Sequence, residues 1–341
     1  MTIDEARALW SPGGPYLNTA SYGLPPQPAW DAMQQALADW RHGRTSWEAW
    51  GDETHRAREL FARMVTVPVE RVAVGATVSE LVGVLAASLP RGRVVSAEGD
   101  FTSLLWPWLA HGFEVDTVPL ARVADAVDAS TSIVAVSPVQ SATGELADLD
   151  AIEVAAGQHG ALVVLDATQA CGWLQLDASR FDAVACAGYK WLCAPRGTAY
   201  LTLSERLLAG TVATHAGWFA GADIHASYYG TPLRLASSAR RLDTSPAWFS
   251  WVAAAPTLQV LLEIGIAEIG RHDVALANRF RAGLGLDPDD SAIVKVEVPD
   301  ASTKLERAGI RAATRAGSLR ASFHVYTTEA DVDAALDALC G

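Results

Sequence analysis

Short apolar runs that end in polar or small residues alternate along this chain with longer stretches whose apolar positions recur at helical spacing. The runs are VAVGAT (72–77), RVVSAEGDF (93–101), SIVAVSP (132–138), ALVVLDATQ (161–169) and DAVACAGYK (182–190). Helical spacing fits roughly 27–43, 52–65, 79–89, 148–159, 251–270 and 272–284. Buried strands alternating with helices predict an α/β fold on a mostly parallel sheet flanked by helices. Towards the C-terminus the pattern changes. IVKVEV (293–298) alternates like a half-exposed strand, SLRASFHVY (318–326) predicts another, and Thr328 and Asp331 stand at capping-box spacing before a last helix. The expected organisation is a large domain over 15–250 and a smaller α+β domain over 251–341 together with 1–14. No internal repeat and no Gly/Ser linker separates them.

The composition narrows the class. Half of the 341 residues are hydrophobic and 19% are charged, which suits a folded globule. A net charge of −13 repels phosphate backbones and anionic lipid, so neither nucleic acid nor a membrane surface is an expected partner. The start, MTIDEARALW, lacks the basic flank of a secretory signal, and Pro256, Gln259, Glu263 and Glu268 interrupt the longest apolar stretch. A cytoplasmic protein is expected. Cys171, Cys186, Cys193 and Cys340 show neither CxxC spacing nor a His pair, so reduced thiols are expected, without zinc or disulfides. Cys340 reads as a small hydrophobe packed in the terminal helix.

In an open parallel sheet, ligands lie off the carboxyl ends of the strands, so the residues closing each run are the candidates for chemistry. Arginine outnumbers lysine 23 to three, which makes the retained lysines informative. An amine can lose its proton and attack a carbonyl, whereas a guanidinium stays charged. Lys295 and Lys304 read as solvated surface groups. Lys190 closes an apolar run and precedes Trp191 and Leu192, surroundings that disfavour its ammonium form. Alone, that pattern also fits a lysine snorkelling at a strand end. Asp166 closes the preceding run, where it reads either as a helix N-cap or as a buried carboxylate awaiting a cation. Gly75, Ala76 and Thr77 lie between a strand and a helix, a turn suited to an anion such as phosphate.

Taken together and in this order, the motifs resemble the class V aminotransferase family of fold type I pyridoxal-phosphate enzymes, over nearly the whole chain. GAT (75–77) is similar to the family's phosphate turn, DATQ (166–169) to its D-x-x-Q, and GYKW (188–191) to its Schiff-base segment. The resemblance implies pyridoxal 5′-phosphate as cofactor, held by Lys190 at its aldehyde carbon, Asp166 at its pyridine nitrogen, Gln169 at its phenolic oxygen and Ala76 and Thr77 at its phosphate. Tyr189 would be a second phosphate donor. Phe101 stands where many relatives stack a histidine on the ring, and Ser141 where relatives often carry asparagine. RRLDTSP (240–246) resembles the segment that crosses to the partner's phosphate, implying Ser245 as a ligand in trans and a homodimer with a shared active site. LRASFHVYTTEADVD (319–333) matches the segment whose arginine forks onto the substrate α-carboxylate, so Arg320 takes that role. In YLNTASYG (16–23), Asn18 is the candidate for lining the substrate site.

The reaction is narrowed by what residues 305–319 contain. A desulfurase passes sulfur to a cysteine on a loop shortly before the carboxylate-binding arginine, and LERAGIRAATRAGSL has none. Trp218, Trp248 and Trp251 cluster in sequence with Phe219, Tyr228, Tyr229 and Phe249. Such a group reads either as core or dimer interface, or as an aromatic cage for a quaternary ammonium, with Trp218 and Tyr228 as its candidate residues. AEGDFTSLLWPW (97–108), SPVQSATGELADL (137–149), CAGYKWLCAPRGTAYL (186–201) and RRLDTSPAWFSW (240–251) are most similar to the ergothioneine-biosynthesis C–S lyases, whose substrate, hercynylcysteine sulfoxide, carries a trimethylammonium group. The resemblance implies β-elimination giving pyruvate and ammonia. A cysteine desulfurase or an isopenicillin N epimerase-like enzyme is the alternative. The implied substrate has two carboxylates, and Arg234, Arg240, Arg241 and Arg315 are equivalent candidates for the second.

Overall fold

The structure, a computed structural model, describes residues 1–341. Its central sheet contains β1 (Val72–Gly75), β2 (Arg93–Ala97), β3 (Glu114–Val118), β4 (Thr131–Val136), β5 (Leu162–Asp166), β6 (Ala183–Ala187) and β7 (Ala199–Leu203). They lie in the order β1-β7-β6-β5-β4-β2-β3. Each of the five runs supplies a strand, and β3 and β7 are additional. β3, EVDTV, is a half-exposed edge strand without the apolar run that marks the others. β7 is antiparallel to both β1 and β6. The segment 188–198 joins β6 to β7 without a crossover helix, so the chain can only return antiparallel. Since β1 and β6 both oppose β7, they point the same way. The carboxyl ends of β1, β2, β4, β5 and β6 therefore line one edge.

Alternation along the strands serves two cores, because successive side chains point to opposite faces. Val74, Val134, Leu165 and Val184 pack with Phe61 and Leu258 from helices Trp47–Met64 and Trp248–Ile264. Ala73, Ile133, Val164 and Ala185 face Leu81, Leu85 and Trp108 from helices Val78–Ser88 and Thr102–Ala110. Helix Trp248–Ile264 breaks from Ile266–Gly283 at Gly265, whose φ of 96° ends the first segment earlier than the sequence pattern suggests. No single helix is long and apolar enough to cross a membrane.

A second, antiparallel sheet follows: β8 (Ile293–Val296), β9 (Ala313–Arg315) and β10 (Ser318–Ser322), in the order β8-β10-β9. Val294, Leu319 and Phe323 pack there with Phe280, Leu305 and Val332. The last helix, Glu329–Cys340, opens with the capping box of Thr328 and Asp331. Residues Tyr16 and Asn18 bridge to Arg311 and Ser322, drawing the N-terminal segment along β10 and towards the main sheet. Two expectations need correction here. Cys340 is exposed rather than packed, because it ends the terminal helix, although all four cysteines are free thiols. Lys304 is half-buried and donates to the Leu339 carbonyl at 2.8 Å, so it caps that helix.

Candidate active site

Along the edge where the strands end lies a cavity of about 320 Å³. Ala76 and Thr77 reach it from the end of β1, Phe101 from beyond β2, and Ser141 from beyond β4. Asp166 and Gln169 enter from β5, Tyr189 and Lys190 from beyond β6, and Arg320 from β10 of the second sheet. The parallel register pairs Asp166 with Ala185, so β5 and β6 deliver the carboxylate and the amine to one end of the sheet.

Burial dominates the electrostatics. Lys190 is only 6% exposed, and desolvation lowers its pKa to about 8 against the partial support of the Asp166 charge, with Arg320 and Arg315 pushing it further down. Burial likewise raises the pKa of Asp166, offset in part by hydrogen bonds from Thr168 and by the Lys190 charge. The Lys190 ammonium nitrogen lies 5.3 Å from the Phe101 ring centroid and 5.8 Å from that of Tyr189. The Thr168 N–H donates to Asp166 Oδ1 at 3.0 Å, so Asp166 caps the short turn Ala167–Gln169 while also facing the cavity. The two sequence readings of this residue are thus compatible.

Backbone contacts hold the lysine segment on several sides. Gly23 N–H donates to the Tyr189 carbonyl at 3.0 Å, and a Cβ on Gly23 would stand 2.0 Å from the Lys190 carbonyl oxygen, so only glycine fits. Cys193 N–H donates back to that same Lys190 carbonyl at 2.9 Å. The Trp191 indole donates to Gln169 Oε1 at 2.8 Å, and His324 Nε2 meets the Trp191 carbonyl at 3.0 Å. His324 is held in turn by Asp273 at 2.9 Å. Burial is the largest single influence and works against the imidazolium, but the charge and hydrogen bond of Asp273 together with those of Cys193 outweigh it and raise the His324 pKa to about 10, so both ring nitrogens donate.

At the Thr77 turn, the side chain caps helix Val78–Ser88 by accepting from Glu80 N–H at 3.2 Å. The turn expected to suit an anion is only partly open to one, because Ala76 N–H is already bound to Glu80 Oε2 at 2.9 Å. Val78 and Ser79, which also line the cavity, have no carbonyl one helical turn before them to accept their N–H groups. Gln169 is more committed than its motif suggests. Its amide donates to the Ala20 carbonyl at 3.0 Å and to Ser141 Oγ at 2.9 Å, so a further acceptor must displace one of these. Ser141 connects this amide to Arg320, whose Nη1 donates to Ser141 Oγ at 3.3 Å and to its carbonyl.

Four candidates lie outside the cavity lining. Asn18 bridges to Ser322 and its Oδ1 is buried without a partner; its successors Ala20, Ser21 and Tyr22 line the cavity instead. Ser245 is exposed on the loop that follows Asp243. Trp218 and Tyr228 pack on one another at 5.2 Å and on Trp47, at 4.9 and 6.4 Å, beside a separate cavity that includes Glu48, Asp52 and His225. The rings thus fill the space between themselves. The sequence reading also passed over Arg196, Ser137 and Thr168. Arg196 lines the cavity with its guanidinium 4.8 Å from the Tyr189 ring centroid, brought back by the turn at Gly197. Ser137, directly after β4, binds Asp100 through its N–H at 2.9 Å and its hydroxyl at 2.5 Å, which fixes the start of the Phe101 helix. A polar residue directly after an apolar run was the signal available for Ser137.

These residues fit pyridoxal phosphate. Asp166 is a buried carboxylate that forms no ion pair with any arginine or lysine, as suits a ring nitrogen that must stay protonated. Lys190 is an amine half neutral near pH 8, and free N–H groups open a helix at the other end of the cavity. Comparison with known proteins agrees. Residues 51–304 match the family described as aminotransferase class-V. An uncharacterized aminotransferase of Bacillus subtilis is 26% identical over 91% of this chain and 90% of its own. The isopenicillin N epimerase of Streptomyces clavuligerus is 28% identical over 84% of each. Among solved structures, the complex between the cystine C–S lyase C-DES and its product cysteine persulfide superposes with a TM-score of 0.86. It is 20% identical and covers 96% of this chain and 97% of its own.

Proposed function

Because this chain belongs to the class-V aminotransferase family and its cofactor is pyridoxal 5′-phosphate, we propose that it is a carbon–sulfur lyase that cleaves hercynylcysteine sulfoxide by β-elimination. The observation that carries this reading is the cavity itself. It places a readily deprotonated lysine beside a buried carboxylate and an arginine without a carboxylate partner, and no cysteine lines it. A cavity without a cysteine supports release of sulfur to solution over transfer to the enzyme.

When bound, the cofactor supplies an electron sink for the pair left at the substrate α-carbon. Arg320 forks onto the α-carboxylate and, with Ser141, orients the amino-acid end. Lys190, as a neutral amine, removes the α-proton; a pKa near 8 keeps much of it in the basic form at working pH. Asp166 would hold the ring nitrogen protonated, so that the ring can accept the electron pair left at the α-carbon. The C–S bond then breaks with its electron pair leaving on sulfur as a sulfenate, and water converts the three-carbon remainder to pyruvate and ammonia. Two equivalents of a thiol reduce the sulfenate to the thione, ending as a disulfide while the sulfenate oxygen leaves as water. Ser245, on its exposed loop, is assigned to the partner's phosphate site in a homodimer.

Epimerisation is the second reading, favoured by the similarity to isopenicillin N epimerase. The two differ in whether the C–S bond breaks. With the sulfoxide in heavy water, the lyase releases pyruvate and ergothioneine, whereas an epimerase exchanges the α-hydrogen and returns an intact amino acid. Alanine from free cysteine would instead indicate a desulfurase.

A further inference from the structure

The hairpin of β9 and β10 turns on Ala316 and Gly317, with φ of 48° and 79°, the left-handed pair that a two-residue hairpin loop requires. Its register pairs Arg315 with Ser318 and Arg320 with Ala313. Arg315 is two residues from Ala313 and so shares a sheet face with Arg320, as its diagonal neighbour. Two guanidinium groups are thereby set side by side at one wall of the cavity. Both donate to the same hydroxyl, Ser21 Oγ, at 3.0 Å from Arg315 and 2.8 Å from Arg320. Neither forms an ion pair with any carboxylate of the chain. Arg320 is 1% exposed and its Nε is buried without a hydrogen-bond partner. Two adjacent like charges, one of them desolvated, are unfavourable unless an anion completes them.

We propose that this wall is a two-anion site: the substrate is an amino acid carrying a second acidic group, with Arg320 taking the α-carboxylate and Arg315 the second anion. The proposal rests on the reading that an amino-acid substrate binds at Arg320, and it selects Arg315 from four arginines that the sequence left equivalent. The other three point elsewhere. Arg234 donates to the Ala226 carbonyl at 2.8 Å, Arg240 to that of Phe219 at 2.7 Å, and Arg241 to those of Leu208 and Thr211. None of them lines this cavity. Arg315 is exposed at the cavity mouth, where it can meet a group at the end of a side chain while Arg320 holds the buried end. Ser21, with its lone pairs occupied by both arginines, spaces the two and keeps one carboxylate from being clamped by both.

Unreactive probes separate this inference from the lyase chemistry. The α,ω-dicarboxylates from succinate to suberate, and the monocarboxylate matching each in length, are titrated calorimetrically into the cofactor-loaded protein. The best dicarboxylate is expected to bind at least about tenfold more tightly than its monocarboxylate, equivalent to about 1.4 kcal/mol. Arg315→Gln should erase that ratio while keeping monocarboxylate affinity; Arg315→Lys, which keeps the charge without the fork, should restore part of it. Arg320→Gln should weaken both ligands. Equal binding of mono- and dicarboxylates by the wild type, or equal weakening of both by Arg315→Gln, would show both arginines on one carboxylate and overturn the proposal. Failure of hercynylcysteine sulfoxide to react would reject the lyase reading and leave the binding ratio standing. Turnover of that sulfoxide by Arg315→Gln at the wild-type KM would reject the two-anion site and leave the lyase.

Discussion

Of the buried sites in this molecule that contain a basic and an acidic side chain, two are completed to very different degrees. Arg58 and Asp243 are 2% and 0% exposed and bridge one another directly, with Arg58 Nε the one guanidinium nitrogen left without a partner. Arg58 Nη2 meets Asp243 Oδ2 at 2.5 Å, Nη1 reaches Oδ1 at 3.3 Å and the Val72 carbonyl at 2.7 Å, and Oδ1 also accepts Val74 N–H at 2.9 Å. The pair pins the loop before Ser245 to the first strand of the sheet. Lys190 and Asp166 are buried as well, yet they form no such bridge, and burial shifts each towards its neutral form. A completed buried pair holds the scaffold, whereas an incomplete one keeps capacity for a ligand and for proton transfer.

Substitution should break this contrast most clearly at Lys190. Lys190→Ala is expected to cut turnover by about 10²–10⁴-fold, the range for a positioned acid–base group, and to abolish covalent cofactor retention, with no loss of thermal stability. Steady-state kinetics and absorption of the dialysed protein check this. Asp243→Ala should do the reverse, lowering unfolding free energy by about 3–5 kcal/mol because Arg58 is left buried and uncompensated. Denaturant titration of the apoprotein measures it.

The pH dependence sharpens the same comparison. Lys190 attacks the cofactor aldehyde only as the free amine, so cofactor capture by the apoprotein should accelerate with rising pH through a midpoint near 8. Asp166 supports the ammonium form and Arg320 opposes it, so Asp166→Asn should lower that midpoint and Arg320→Gln raise it. Between about pH 8 and the ordinary value of 10.5, the unfolded chain binds a proton that the native chain does not, so apoprotein stability should rise with pH across that window. Lys190→Ala should flatten this slope. The smallest effect is expected at the ring cluster. That cluster lies outside the cavity lining and packs on itself, so Trp218→Ala should leave the KM for the sulfoxide unchanged and lower thermal stability instead.

The chemistry of the Lys190 site was legible in part because Asp166 and Lys190 each close an apolar run, and an open sheet gathers those endings on one edge. Asp166 and Lys190 could be found in this way before any geometry was known. β3 was missed because an edge strand such as EVDTV needs no apolar run. The antiparallel return of β7 was missed because it depends on how short the connection from β6 is. Arg315 could not be told from three other arginines, since its place beside Arg320 is set by a hairpin register rather than by any local pattern. The packing of Trp218 against Trp47 joins residues far apart in the chain, a tertiary fact that composition does not carry.

The most direct test is to incubate the cofactor-loaded protein with hercynylcysteine sulfoxide and a thiol, and separately with free cysteine, following pyruvate, alanine and ergothioneine by mass spectrometry. Pyruvate and ergothioneine in equal amounts from the sulfoxide, lost in Lys190→Ala, is the expected result. Alanine from cysteine, or an untouched sulfoxide with a fully loaded enzyme, would contradict the lyase assignment.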